Sequence, residues 1–304
     1  MKKTALLVVV VLLFGLVGSA SADWVPYSQR YAVIVMGSWN NAQQYIWYWV
    51  NTFAMYNELK TLGFTDENIY FLASGDSLAA HPGVVDTTNS NRVTVQWAFD
   101  EVKSRSTKED LLYIWWVDHG NPSGFSMPQD FLYYSRFAYC LKDIEAKAII
   151  GAYHPCNSGA VLPHVSNPGV ISVSSTRADE VNSWGWAETW RSALRGGAGD
   201  DPTDQNGDGH ISVVEAYQWS TVRAHDHNEH PQLDDNGDKL CHGLGMEGYD
   251  PSDPAKDGFI ASKFALTGWW DGDPPPFSLP TALEPGSWGH IKALFRGRPS
   301  GSEF

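Results

Sequence analysis

The sequence predicts an α/β protein with a mostly parallel central sheet and helices on both faces. Two observations carry that expectation. First, short apolar, β-prone runs recur along the chain at residues 31–36, 68–73, 111–117, 148–153 and 169–174. Continuous runs of this kind fit strands buried on both faces of a parallel sheet. Second, helical patterns lie between several of these runs, and alternating strands and helices imply parallel pairing through crossovers.

The elements follow in chain order. Lys2 and Lys3 precede a 13-residue apolar stretch at 5–17 and a small-residue site at Ala20-Ser21-Ala22. The stretch is short for a membrane span and has the form of a secretory signal over 1–22, leaving a chain that starts near Asp23. The run YAVIVM at 31–36 is the first strand, ending at Gly37-Ser38. A pattern rich in Trp and Tyr at 42–62 is the first helix, stopped by Gly63. NIYFLA at 68–73 is the second strand, and the polar stretch 74–92 reads as an exposed loop. Residues 93–104 read as a helix with Val95, Phe99 and Val102 on one face. The strand at 111–117 leads to Asp118-His119-Gly120, and 121–137 reads as an aromatic loop. The strand at 148–153 leads to His154-Pro155-Cys156-Asn157-Ser158-Gly159. GVISVS at 169–174 is the fifth strand, and a helix at 184–195 ends at Gly196-Gly197.

Beyond Arg195 the composition shifts to Asp, Gly, Asn and His, and from 249 to 288 to Pro and Gly. The expected organisation is a signal peptide at 1–22, an α/β body at 23–200, an acidic loop and helix at 201–248 packed on that body, and a Pro/Gly-rich extension at 249–304. The formal net charge is −14. An acidic surface repels phosphate backbones, which argues against a nucleic-acid partner and suits metal cations. No segment after the signal is long and apolar enough to enter a bilayer stably. An extracellular or periplasmic location is expected. Three cysteines, Cys140, Cys156 and Cys241, make an odd count, which in an exported chain points to a reactive thiol or an intermolecular bridge. Pairing of Cys140 with Cys241 would leave Cys156 free.

Ligands in open α/β sheets bind beyond the carboxyl ends of the strands. His119 and Cys156 both follow strand ends, so an imidazole and a thiol are expected at one rim, as a thiol nucleophile and its base require. Gly120 allows backbone to approach a substrate, and its amide and that of Cys156 can face a developing oxyanion. His154 is a rival base by proximity and is assigned to the wall.

The Asp118-His119-Gly120 strand end and the Cys156-Asn157-Ser158-Gly159 turn resemble the two active-site motifs of the legumain-like cysteine peptidases, which share a fold with caspases and gingipains. Val35-Met36-Gly37-Ser38 followed by Asn40 resembles that family's first strand, which implies that Asn40 or Asn41 approaches His119. Residues 171–190 resemble its specificity wall. The resemblance implies a caspase-like three-layer α/β/α sandwich with a mostly parallel central sheet, plus a loop-rich C-terminal segment. It also implies peptide-bond hydrolysis of a peptide or protein substrate through Cys156 and His119. Some members ligate peptides when an amine intercepts the acyl-enzyme. Two departures stand out. His154-Pro155 replaces the Glu-Ala that legumains place before the cysteine. The arginine with which they recognise a substrate asparagine would fall near Trp47, where this chain has none, so cleavage after asparagine is not expected. Arg177 and Arg191 read as solvated surface residues.

A second motif runs from Asp204 to Glu215 and matches a twelve-residue EF-hand loop. Asp204, Asn206 and Asp208 supply side-chain oxygens, His210 its carbonyl, Ser212 a direct or water-mediated contact, and Glu215 a closing carboxylate for Ca²⁺. Gly209 makes the sharp turn and a helix at 213–223 follows. The segment 196–203 entering the loop is not helical, which favours a structural ion over a paired sensor. Asp234-Asp235-Asn236-Gly237-Asp238 echoes such a loop but has Lys239 at the glycine position and reads as a polar turn. His225, His227, His230 and His242 lack the spacing of a zinc site. The expected function is that of an exported, Ca²⁺-stabilised cysteine endopeptidase. A non-catalytic, calcium-stabilised binding module and a peptide ligase are the alternatives.

Overall fold

The computed structural model describes residues 23–37, 40, 42–73, 85–87, 90–128, 130–198 and 201–271. Residues 1–22, read above as a signal, Asn41 and the residues beyond 271 lie outside the described residues.

In chain order the elements are β1 (Asp23–Trp24), β2 (Arg30–Met36), α1 (Ala42–Thr61), β3 (Ile69–Leu72), β4 (Val85–Thr87), α2 (Arg92–Arg105), β5 (Leu111–Val117), β6 (His119–Asn121), β7 (Gly124–Met127) and β8 (Asp130–Tyr133). Then come α3 (Tyr134–Leu141), β9 (Ala148–Tyr153), α4 (Leu162–Val165), β10 (Val170–Ser174), α5 (Trp186–Leu194), β11 (Gly197–Ala198), β12 (Asp201–Pro202), α6 (Val213–Ala224), β13 (Gln232–Asp234) and β14 (Trp269–Trp270). The central sheet has seven strands in the order β13-β10-β9-β5-β2-β3-β4. Only β13 runs antiparallel, at the edge beside β10.

Alternation along the strands divides the core into two layers. Ala32, Ile34 and Met36 of β2 and Tyr113, Trp115 and Val117 of β5 face α1, α5 and α6. Tyr31, Val33 and Val35, with Leu112, Ile114 and Trp116, face α2, α3 and α4. Each strand side chain points opposite to its neighbour, so an unbroken apolar run feeds both layers at once. The result is an α/β/α sandwich with a mostly parallel central sheet, consistent with a caspase-like fold.

Local signals set the helix ends. Asn91 caps α2 by accepting from the amides of Val93 and Thr94, and Ser212 and Glu215 form a reciprocal capping box on α6. Gly63, at φ +91°, takes the left-handed position after α1 that a side chain would resist.

Four sequence readings need correction. The exposed loop at 74–92 contains β4, which pairs in parallel with β3 as the sheet edge. The aromatic loop at 121–137 is a three-stranded antiparallel meander of β6, β7 and β8 followed by α3. Phe125 and Leu132 are fully buried there, and Phe125 stacks on Trp116 at 4.0 Å between ring centroids. Each meander strand is too short to show periodicity, which is why its aromatics read as a loop. The polar turn at Asp234 is the end of the buried edge strand: Asp234, Asp235 and Asp257 are all fully buried. Asp235 accepts from the amides of Gly258 and Ala261, and Asp257 holds His242 Nδ1 at 2.6 Å. Lys239 takes a positive φ of +69° there, the conformation glycine was expected to supply. Arg191 is not a solvated surface residue: it is half-buried, and its guanidinium donates to Asn51 Oδ1 of α1. Arg177 is half-exposed and pairs with Asp179 and Glu180. Cys140 and Cys241 are both free and contact different glutamines, Gln96 and Gln232.

Candidate active site

β5 and β9 are neighbours in the sheet, with Trp116 beside Tyr153. Their carboxyl ends therefore open onto one rim, the position from which parallel sheets present ligand-binding groups. Asp118-His119-Gly120 leaves β5, and His154-Pro155-Cys156 leaves β9. The two exits pack tightly. A Cβ added to Gly120 would sit 2.6 Å from the Cys156 carbonyl oxygen and 2.7 Å from Pro155 Cβ. Only glycine allows this approach, and it brings the histidine and cysteine segments together. The His119 strand does not stop at the rim as the sequence reading implied. It continues as β6, which pairs with β7 and fixes the direction of the imidazole.

Asp118 is buried beneath His119. Its carboxylate accepts the His119 amide at 2.6 Å and Trp116 Nε1 at 3.3 Å. It fills the space that a side chain at position 37 would need, which explains Gly37 in the first-strand motif. Asn40 lies over the imidazole, its carboxamide 3.1 Å from His119 Nε2. The Tyr48 ring meets the imidazole edge-on at 5.8 Å. Burial pushes the His119 pKa down from its ordinary value, so the ring is neutral near pH 7.

Cys156 is half-buried, at the start of a tight turn in which Asn157 has a left-handed φ of +59°. The Asn157 amide donates to the Glu180 carbonyl at 2.7 Å, and Ser158 is held by Thr176. Burial pushes the thiol pKa up. The Asn182 amide, 3.3 Å from the sulfur, opposes that, as does the cysteine's own amide. The pair is therefore a neutral thiol beside a neutral imidazole. Among the described residues the Cys156 amide donates to no other backbone carbonyl.

His154 is fully buried and is not available as a base. Its pKa is pushed down to about 3 by burial, and it lies between Trp47 and Trp186 with Asn182 Nδ2 on its Nδ1. Trp47, which stands near the place of the expected arginine, packs against Trp184 with ring centroids 5.0 Å apart. Trp184 has φ +76°, a conformation a bulky residue adopts only when its surroundings impose it. The wall at this point is thus aromatic.

Residues 89–204 match the Peptidase C13 family. The match takes in His119, Gly120, Cys156 and the wall segment through Trp184, and it supports a legumain-like cysteine peptidase, hence peptide or protein substrates. Asn40 and most of the acidic loop lie outside it. No curated protein matches the chain. Among solved structures, protein GSU0716 from Geobacter sulfurreducens is similar at 10% sequence identity and a TM-score of 0.47, over 75% of this chain and 97% of that one. Among the described residues no helix is long and apolar enough to cross a membrane.

The acidic loop packs through His210 against Trp24 and Trp269. Gly207 and Gly209 have φ +73° and +84°, and the chain curls around the Asp204 carboxylate, which accepts the amides of Gly207 and Gly209. Asn206 Oδ1 accepts the Asp208 amide, and Asp208 Oδ1 the His210 amide. Glu215 reaches back to the amides of Gln205, Asn206 and Ser212 and to the Ser212 hydroxyl. Oxygen donors of the kind a hard cation takes line the loop in the expected order. Among the described residues, no three His, Cys, Asp or Glu side chains gather closely enough to hold a metal ion. Of the histidines that follow the loop, His230 pairs with Glu180 and His242 with Asp257.

Sequence reasoning missed Asn182 and Glu229. Neither lies in a periodic pattern, and each acts through backbone amides that a sequence does not display.

Proposed function

We propose that this chain is an exported, legumain-like cysteine endopeptidase in which Cys156 is the nucleophile and His119 the general base. The observation that carries the reading is the close packing of Gly120 on the Cys156 carbonyl, which sets a half-buried thiol and a neutral imidazole at one sheet rim. Since thiol and imidazole are both neutral at rest, the proton moves as the bond forms. The sulfur attacks the scissile carbonyl carbon and its proton passes to His119. The amides of Gly120 and Cys156 hold the oxyanion. The C–N bond then breaks, the leaving amine takes the proton from His119, and a thioester remains. Water attacks the thioester with His119 as base and releases the acid and the free thiol.

Asn40 orients the imidazole. Its Nδ2 stands 3.1 Å from His119 Nε2; once the carboxamide rotates so that its oxygen accepts Nε2–H, the tautomer it holds leaves Nδ1 free to take the proton. The aromatic wall of Trp47, Tyr48 and Trp184 favours an apolar face on the substrate over the asparagine that legumains accept.

Ca²⁺ in the 204–215 loop is part of this proposal. Asp204, Asn206, Asp208, the His210 carbonyl, Ser212 and Glu215 would hold it, Glu215 by exchanging its amide contacts for the ion. The ion would screen three carboxylates and stiffen the start of α6. Export rests on the 1–22 segment, and amino-terminal sequencing of the protein recovered outside the cell should begin near Asp23.

The deciding test is Cys156→Ala against a peptide library. Loss of all turnover is expected, and persistent cleavage by the pure variant would refute the assignment. Labelling with an acyloxymethyl ketone separates this reading from a binding module, whose thiol would react no faster than free cysteine.

A further inference from the structure

We propose that Glu229 is a positioning residue of this site: its buried carboxylate anchors the 183–186 backbone, keeping the Asn182 N–H on the Cys156 sulfur and Trp184 against Trp47. The proposal rests on the peptidase reading and adds a part that reading does not name.

Glu229 is fully buried and accepts three main-chain hydrogen bonds. Oε1 takes the amides of Ser183 and Trp184, each at 3.1 Å, and Oε2 takes the amide of Trp186 at 2.6 Å. These amides approach and open α5, whose amino end favours a negative charge. Glu229 is itself held from behind. Its amide donates to the Ala224 carbonyl at the end of α6, and Asn228 before it takes a left-handed φ of +56°. Gly185 completes the fit, since a side chain there would collide with the His227 ring.

The anchored segment is the one that touches the thiol. Asn182 sends its amide to Cys156 Sγ and its carboxamide to His154, and its Oδ1 accepts the Trp184 amide at 2.6 Å. The positive φ of Trp184 persists only where such contacts impose it. Without the carboxylate the Ser183 amide and the buried Trp186 amide lose this acceptor and the Trp184 amide keeps only Asn182 Oδ1, so the loop must relax to regain the lost bonds.

Two opposed influences on the sulfur make the proposal testable. Burial raises the thiol pKa most. Against it the Asn182 N–H is the larger influence, and the charge of Glu229, which raises the pKa, the smaller. Losing the clamp therefore costs the thiolate more than losing the charge returns. Tyr48, Tyr134 and Asp118 also surround the sulfur and the imidazole and stay in place in both variants below.

The experiment is the pH dependence of iodoacetamide alkylation at Cys156, read by mass spectrometry on the full-length protein, for wild type, Glu229→Ala and Glu229→Gln. In Glu229→Ala the rate at pH 7 should fall about tenfold and the midpoint rise by about one pH unit. Glu229→Gln keeps an oxygen for the Ser183 and Trp184 amides and removes the charge, so its midpoint should fall. A residue that served the fold alone would lower the melting temperature of both variants and leave both profiles unmoved. A folded Ala variant with the wild-type profile, or both midpoints moving the same way, overturns the proposal. Should Glu229→Ala not fold, an unmoved or raised midpoint in Glu229→Gln overturns it. Alkylation needs no turnover, so a wild-type protein without peptidase activity would defeat the peptidase reading and leave this comparison intact.

Discussion

Gly120→Ala tests the geometry on which the site depends. Gly120 has no positive φ, so alanine suits its backbone and only space is at issue. The new methyl would lie 2.6 Å from the Cys156 carbonyl oxygen and 2.7 Å from Pro155 Cβ. Non-bonded heavy atoms settle at about 3.5 Å, so the rims must separate by roughly 1 Å. Neither neighbour is a free side-chain end: one is main chain and the other a ring fixed to it. Overpacking of this kind costs about 1–3 kcal/mol of stability. The cost to catalysis is larger in kind, since a displacement of about 1 Å at reacting atoms removes roughly 100-fold in rate. The assay is kcat/KM on the best library peptide beside urea unfolding of the same preparation. Expected are a folded protein, destabilised by at most about 3 kcal/mol, and a fall in kcat/KM of about two orders of magnitude. A folded variant within about threefold of wild type would show that Gly120 need not approach Cys156, and the assignment of the rim would fail with it.

The pH profile of kcat/KM should be broad. The base must be neutral, so activity rises with pH through the His119 value, which burial sets below 6.5. An acid limb centred above pH 7 would exclude His119 as the base. Removal of Ca²⁺ should lower stability. At about 10 mM free ion and a Kd of about 10⁻⁴–10⁻³ M, binding contributes roughly 1.4–2.7 kcal/mol, a melting shift of a few degrees that Glu215→Gln should abolish. Equal melting curves with and without EDTA would count against the ion. Burial raises the Asp235 pKa to about 7, so its neutral form suits the fold. Its contribution is whole below about pH 4 and is lost as pH rises toward 7, which implies that wild type loses more stability than Asp235→Asn between pH 4 and 8. Urea unfolding at both pH values should show a difference on the order of 1–3 kcal/mol, and parallel losses would refute it.

The parallel sheet was legible because its strands are buried on both faces. At 31–36 and 111–117 every residue is apolar, and an apolar run of that length flanked by helical pattern has few other structures open to it. The meander at 119–133 was not legible. Its strands are three or four residues long, and Phe125 packs against the facing Trp116, Tyr134 and Phe137 rather than following any local period. The edge strand β13 was hidden in the opposite way. Its last residue is an aspartate followed by another, and two adjacent carboxylates read as surface until the amides of Gly258 and Ala261, over twenty residues later, are known to meet the second.

The same division runs through the site. That His119, Gly120 and Cys156 share one rim could be read from the sequence because each follows a strand end, and strand ends of a parallel sheet face one way. Asn182 and Glu229 could not, since what they contribute is an amide on a sulfur and a carboxylate under three amides. Those contacts depend on where the chain returns after α6, and no spacing encodes that return. His154 shows how proximity misleads. It stands two residues from the thiol, as a base on the same strand face would. Pro155 and the turn carry Cys156 to the rim while His154 remains in the core between two tryptophans. His154 thus supports the wall from within. The proposed base, His119, comes instead from the neighbouring strand, 37 residues earlier in the chain than Cys156.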